Sequence, residues 1–288
     1  MSKKKRNIII LCSVLVAVIV LLVTLSLTTF SLHSVKVDFR TSTENLTATE
    51  EEIINAGDFS KGCVFFYNKN KAKDKIEKQY PYIKIINIET IFPNSFVIHV
   101  AERGEVFVVK KDGQAIYLDE NLKVLKVAEE EFVSDQSNPI LLTGVEVSEG
   151  VKAGDYVTSK TYADTYSAFL QSNLNLGMQK EIFKEIEFKK ERDENAKEDY
   201  LNAYITLFSG QTIKILDANY GLKYKANMAY KVYSSLYTFI GKEYTLTSGD
   251  KVTLTKDMLD SVTINVQSYY DRTHHKESET YFVLEIVQ

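Results

Sequence analysis

The chain has 288 residues, with 35 Lys and Arg against 39 Asp and Glu and a formal net charge of −4, a balance that excludes an electrostatic grip on nucleic acid. No Trp, 18 Tyr, 15 Phe, twelve Gly and three Pro exclude a disordered chain and favour a compact, β-rich one. Two cysteines, Cys12 and Cys63, supply neither a disulfide framework nor a Cys-based metal cluster.

In chain order, the first feature is 8–30: 23 residues without Asp, Glu, Lys or Arg, entered from Lys3, Lys4, Lys5 and Arg6. As a helix it would be about 34 Å long, enough to cross a hydrocarbon core of roughly 30 Å. The basic cluster precedes the run, whereas Lys36, Asp38 and Arg40 follow it. The positive-inside bias therefore predicts a cytoplasmic tail over 1–7, a transmembrane helix over 8–30 and an outer part from Ser34 onward. A cleaved signal peptide is the competing reading, but its apolar region is only about 7 to 15 residues long. Four basic residues lie in the tail, so 31 basic residues face 39 acidic ones outside, a balance of −8.

Val35-Lys36-Val37-Asp38-Phe39 alternates as a half-buried strand does. Thr49 and Glu52 form a capping box for a short helix ending at Gly57. A second helix is predicted over 70–79, with Ala72, Ile76 and Tyr80 on one face and lysines on a solvated one, ended by Pro81. Runs 83–91 and 95–101, joined by Phe92-Pro93-Asn94, form a hairpin. Cys63, in Gly-Cys-Val-Phe-Phe, is expected to be a small buried residue. The order over 34–103 is β-α-α-β-β.

That module, directly after an anchor and carrying Tyr80-Pro81-Tyr82-Ile83-Lys84, Phe92-Pro93-Asn94-Ser95-Phe96-Val97-Ile98-His99-Val100 and Ala101-Glu102-Arg103, resembles the FtsQ/DivIB family of bacterial cell-division proteins. The resemblance implies a POTRA domain over 34–103. Gly104-Glu105 stands where the family commonly has a proline after the Glu-Arg pair. Further on, Ile116-Tyr117-Leu118-Asp119 with Val124-Leu125 is similar to a family hairpin in which Leu122 replaces a glycine. Pro139 to Gly144 is similar to the phrase opening the family's β-rich second domain, here 104–288.

In this second domain a helix is predicted over 161–176, a hairpin over 203–216 and an amphipathic helix over 222–240 stopped by Gly241. Two last strands, 262–266 and 281–287, flank a polar loop over 271–279, and the connection 241–259 is longer than such a hairpin needs. The fold class is α+β: one transmembrane helix, a POTRA module, then a mixed α/β domain built on an antiparallel sheet. A terminal strand is commonly an edge open to another chain. In the resembling family a membrane-anchored partner adds on there, which makes Thr280, Tyr281, Phe282, Val283, Leu284, Glu285, Ile286 and Val287 the candidate partner-binding residues.

No Gly-x-Ser-x-Gly, Ser-x-x-Lys, His-Glu-x-x-His or Walker A phrase occurs. His274-His275 with Asp271 and Glu277 has the residue types of a metal site, but adjacent side chains on an extended loop point apart, so no metal or cofactor is expected. The resemblance implies a non-catalytic divisome scaffold in the cell membrane, concentrated at the septum. It would link early and late division proteins and regulate septal wall synthesis through FtsB/DivIC-like and FtsL-like proteins and, beyond them, septal wall synthases. A membrane-tethered hydrolase of wall polymer and a POTRA-bearing export or sporulation module are the alternatives.

Overall fold

The computed structural model describes residues 3–40, 48–59, 62–129, 132–136, 139–157, 160–170, 181–193, 198–246, 248–271 and 276–286. It divides into two compact units, Met1–Arg103 and Gly104–Gln288.

The first unit opens with helix α1 (Lys3–Leu27). Among the described residues no helix is both long and apolar enough to cross a membrane. The described apolar side chains of the helix run from Ile10 to Leu25, about 24 Å at 1.5 Å per residue. The helix also stops at Leu27, short of the Phe30 expected from hydropathy.

Strand β1 (Ser34–Phe39), helices α2 (Glu50–Gly57) and α3 (Lys69–Gln79), and strands β2 (Ile83–Ile91) and β3 (Ser95–Glu102) follow. Thr49 caps α2 reciprocally: its hydroxyl accepts from the Glu52 N–H at 3.3 Å, and Glu52 Oε2 accepts the Thr49 N–H at 2.8 Å. The left-handed residue closing α2 is Asp58 (φ 51°) rather than Gly57. Gly57 is needed for space, since a Cβ there would lie 2.1 Å from the Phe59 ring. The strands run β1–β3–β2, parallel across the first pair and antiparallel across the second.

Ile53, Ala72 and Ile76 from the helices meet Ile83, Ile85, Phe96, Ile98 and Val100 from the sheet. An irregularity between Ile85 and Asn87 resets the pleat, so Ile88 is buried while Ile86 faces water. At the end of the unit Arg103 donates to Glu77 Oε2 at 2.8 Å, and Glu77 Oε1 accepts the Ile85 N–H at 2.8 Å. This buried pair ties α3 to the last strand.

In the second unit nine strands form one sheet: β4 (Phe107–Lys111), β5 (Gln114–Leu118), β6 (Val124–Ala128), β7 (Ile140–Thr143), β8 (Phe183–Asp193), β9 (Glu198–Leu207), β10 (Thr212–Ile215), β13 (Thr263–Asp271) and β14 (Lys276–Glu285). Between β10 and β13 the short strands β11 (Glu243–Thr245) and β12 (Lys251–Thr253) make a separate hairpin. The sheet order is β14-β13-β10-β9-β8-β7-β4-β5-β6.

The sheet is mixed, not antiparallel throughout: β4–β7, β7–β8 and β10–β13 are parallel. Parallel neighbours need crossovers. Helix α4 (Lys160–Leu170) lies in the connection from β7 to β8, and α5 (Leu222–Ser235) in that from β10 to β13. The helices touch one another, and α5 packs across β10, β13 and β14. Tyr162, Tyr166, Ala226, Ala229 and Val232 join Ile186, Phe188, Ile205, Ile264 and Leu284 in the core. The remainder of the helix expected over 161–176 lies outside the described residues.

Close approach explains Gly144 (φ 73°), where a Cβ would sit 1.8 Å from the Phe188 carbonyl oxygen. Helix α5 gives way to a 3-10 turn over Leu236–Phe239. The connection 241–259, too long for a simple linker, holds the β11–β12 hairpin and the start of helix α6 (Lys256–Asp260).

Candidate functional site

The sheet has two borders, β6 and β14. At β6 the segment around Gly154 covers the strand's start, with Val124 N–H donating to Asp155 O at 2.9 Å and Gly154 N–H to Val124 O at 2.8 Å. At β14 the outer neighbour is a side chain. Leu284 N–H donates to the Tyr244 hydroxyl, on β11, at 2.9 Å.

That single bond fixes the phase of the border. Antiparallel residues alternate between facing the partner and facing away, and β14 pairs with β13 through Ser268↔Thr280, Gln267↔Tyr281, Val266↔Phe282, Asn265↔Val283, Ile264↔Leu284 and Thr263↔Glu285. With the Leu284 N–H turned outward, the backbone groups of Thr280, Phe282 and Leu284 face away from the sheet. Those of Tyr281, Val283 and Glu285 bond to β13.

Side chains split by the same period. Leu284 is 1% exposed, and Phe282 and Ile286 pack against the core. On the opposite face Glu285 accepts from Asn265 Nδ2 at 2.7 Å. Asn265, Lys214 and Tyr204 lie side by side on β13, β10 and β9. Tyr204 and Asn202 donate to Glu191, whose carboxyl is held below the ordinary range against the opposing cost of its burial. The polar face thus holds a cluster around Glu191, with Lys214 3.5 Å from its carboxylate, and beside it the Asn265–Glu285 pair on the candidate strand.

The 3-10 turn at Leu236–Phe239 supplies the apolar rim. The rings of Phe239 and Phe282 are 6.4 Å apart, and Tyr237 and Ile240 beside them are 47% and 46% exposed. Tyr237 donates to Asp260 Oδ1 at 2.8 Å and accepts from Gln211 Nε2 at 3.2 Å, while Gln211 also donates to Leu259 O at 3.1 Å. This lashes the turn to α6 and the β9–β10 corner. Phe239 belongs to the apolar stripe of the amphipathic helix expected over 222–240, and neither it nor Tyr237 or Tyr244 is marked in the sequence as a rim. The unexplained length of 241–259 hinted at Tyr244 alone.

Six of the eight candidate residues, Thr280 to Glu285, lie on β14; Ile286 follows it, and Val287 lies outside the described residues. The strands are longer than predicted: β13 continues to Asp271 and β14 starts at Lys276, with an irregularity at Tyr269/Tyr270, so the described residues of the expected polar loop over 271–279 are strand. His274 and His275 lie outside the described residues. Among the described residues no group of three His, Cys, Asp or Glu side chains is placed to hold a metal. Cys63 is half-buried rather than core, and His99 is a strand residue of β3 between Asp38 and Glu89.

Residues 40–103 match the family described as POTRA domain, FtsQ-type. The chain is 32% identical over 84 residues to a cell division protein DivIB of Clostridium tetani, covering 29% of this chain and 31% of that one. It is 34% identical over 107 residues to a cell division protein DivIB of Clostridium acetobutylicum, covering 37% and 41%. The chain thus spans 31% and 41% of the two curated relatives it matches. A solved structure, the major extracytoplasmic domain of the cell division protein DivIB from Geobacillus stearothermophilus, aligns with 48% of this chain and 96% of its own at 14% identity, with a TM-score of 0.26 that carries no argument about fold. The β-α-α-β-β unit thus matches the FtsQ-type POTRA family from residue 40 to 103, in a chain similar to the cell division proteins named DivIB.

Proposed function

We propose that this protein is a non-catalytic, membrane-anchored division scaffold. It links early and late division proteins at the septum and regulates septal wall synthesis by pairing its last strand with FtsB/DivIC-like and FtsL-like partners. The FtsQ-type POTRA match over 40–103 carries the reading, and the likeness to DivIB proteins supports it. Strand addition would supply affinity through the outward groups of Thr280 and Phe282, with Tyr237 and Ile240 as an apolar rim. Co-localisation on one membrane raises effective concentration further.

The anchor is α1. Its side chains from Ile10 to Leu25 include Leu11, Leu15, Val16, Ile19, Leu21 and Leu22, each more than half exposed. A helix apolar on every side is stable only where its surroundings are apolar too. The span would take in the uncharged residues on either side, over 8–30.

Proline at an outward position separates docking from folding, because an edge strand tolerates the loss of a donor that faces solvent. Thr280→Pro is expected to leave the unfolding midpoint of the full chain nearly unchanged and to abolish capture of the partner ectodomains. Val283→Pro breaks the bond to β13 and is expected to unfold the border. Unchanged capture by Thr280→Pro would sink the strand-addition site.

A further inference from the structure

We propose that the tip of the first unit formed by Phe65, Phe66, Ile91 and Phe92 is seated in the outer interfacial layer of the bilayer beside α1, holding the POTRA domain down on the lipid surface. The inference rests on α1 being the span.

Outside α1, the large apolar side chains that the described part of this unit exposes are Phe65 (58%), Phe66 (84%), Ile86 (53%), Ile91 (43%) and Phe92 (62%). All but Ile86 lie at one end, on the 3-10 turn Val64–Phe66 and at the β2–β3 hairpin. The rings form a chain from the helix exit: Phe30 to Phe65 at 5.0 Å, Phe65 to Phe92 at 5.5 Å.

No slack separates this tip from α1. Thr28, Thr29 and Phe30 continue hydrogen bonding back into the helix. Immediately afterwards Val64 N–H donates to Phe30 O at 2.9 Å, Leu32 N–H to Gly62 O at 2.7 Å and His33 N–H to Asn94 O at 2.8 Å. Because Thr28, Thr29 and Phe30 still bond back into the helix, Phe30 lies only about 5 Å beyond Leu27 at roughly 1.5 Å per residue. The interfacial layer on each side is roughly 5 to 8 Å deep, half the difference between the full bilayer and its core. A helix end at the core boundary therefore places these rings at headgroup depth. Apolar faces rich in Phe bury themselves about 5–10 Å into the headgroup and acyl boundary.

The occupant is lipid rather than another protein, because the patch is joined to the exit of α1 by the Phe30–Phe65 ring contact and by the Val64 N–H bond to Phe30 O, and so lies where the span leaves the bilayer.

The chain contains no Trp, so one introduced indole reports depth without background. Full-length Phe66→Trp, Phe92→Trp, Ile86→Trp and Val16→Trp variants would be reconstituted in phosphatidylcholine vesicles carrying lipids brominated either near the headgroup or near the bilayer centre. Trp at 66 and at 92 is expected to lose most of its emission to the shallow label, Trp at 16 to the deep label, and Trp at 86 to neither. Emission at both 66 and 92 unaffected by the shallow label, with position 16 quenched, overturns the seating while the span stands. Position 16 unquenched at either depth removes the span, and with it the inference.

Discussion

The hydroxyl of Tyr244 accepts the backbone N–H of Leu284 at 2.9 Å, so the β11–β12 hairpin occupies the last outward donor on β14. A strand adding to this border can pair alongside Thr280 and Phe282 but meets Tyr244 at Leu284. Tyr244→Phe removes the acceptor while keeping the ring. Loss of one such bond is expected to lower stability by about 0.5–1.5 kcal/mol, measured by denaturant unfolding. Partner binding is expected to tighten, because a donor is released. Binding that weakens would make Tyr244 part of the docking surface instead.

Leu284 itself belongs to the core. At 1% exposure and in contact with the cluster beneath α5, Leu284→Ala is expected to cost about 2–5 kcal/mol. Any loss of partner binding by that variant would follow from a loosened border. The comparison that matters is with Thr280→Pro, which should lose binding at nearly full stability.

The first unit was legible because its signals are local. Thr49 and Glu52 cap in the predicted manner, alternation set the strands, and Phe92-Pro93-Asn94 sits at the hairpin turn. The left-handed residue after Leu118 was half legible: Leu122 holds φ 61° where the resembling family has glycine, and the turn survives because Asp119 Oδ1 accepts from Asn121 and Lys123 N–H at 2.8 and 2.9 Å. Parallel pairing in the second unit was hidden, because β4–β7 and β10–β13 join residues far apart in the chain and alternation does not encode direction. The rim was hidden for the same reason: Tyr244 and Leu284 are 40 residues apart, and nothing in 241–259 marks a tyrosine as the lid of a strand.

Arg103 and Glu77, 6% and 7% exposed with an N–O distance of 2.8 Å, give the Glu-Arg phrase ending β3 a physical reason. Arg103→Met takes the closest cation from a buried carboxylate that keeps the Ile85 N–H and the more distant Lys73 Nζ at 3.9 Å, and is expected to cost about 3–5 kcal/mol. Adding Glu77→Leu should recover part of that loss. The recovery stays incomplete because the Ile85 N–H loses its acceptor, a penalty of about 1–3 kcal/mol. A double-variant loss equal to the sum of the two single losses would mean the pair is not coupled, which a double-mutant cycle reads directly.

His99 bridges the three strands of the POTRA sheet. Nε2 lies 3.1 Å from Glu89 Oε2 and Nδ1 2.8 Å from Asp38 Oδ2, so both ring nitrogens face carboxylates and the imidazolium satisfies both. The Glu89 bond, then the Asp38 bond, raises its pKa above the ordinary 6.5, against desolvation and the nearby Arg40. With the folded value above the unfolded one, the folded state holds the proton across the interval between them. The stabilisation is therefore complete below about pH 6.5 and is lost as pH rises through the folded value. Above it the neutral ring donates from one nitrogen only, and Arg40, whose Nη2 is 3.0 Å from Nδ1, can turn its donor to the bare lone pair. The His99 ring resonances should titrate above 6.5, and the unfolding midpoint of the POTRA unit should fall over the same interval. Asp38 and Glu89 are 46% and 52% exposed, so salt should flatten the slope. His99→Gln should remove this component of the pH dependence, and a slope that persists in that variant would assign it to another group.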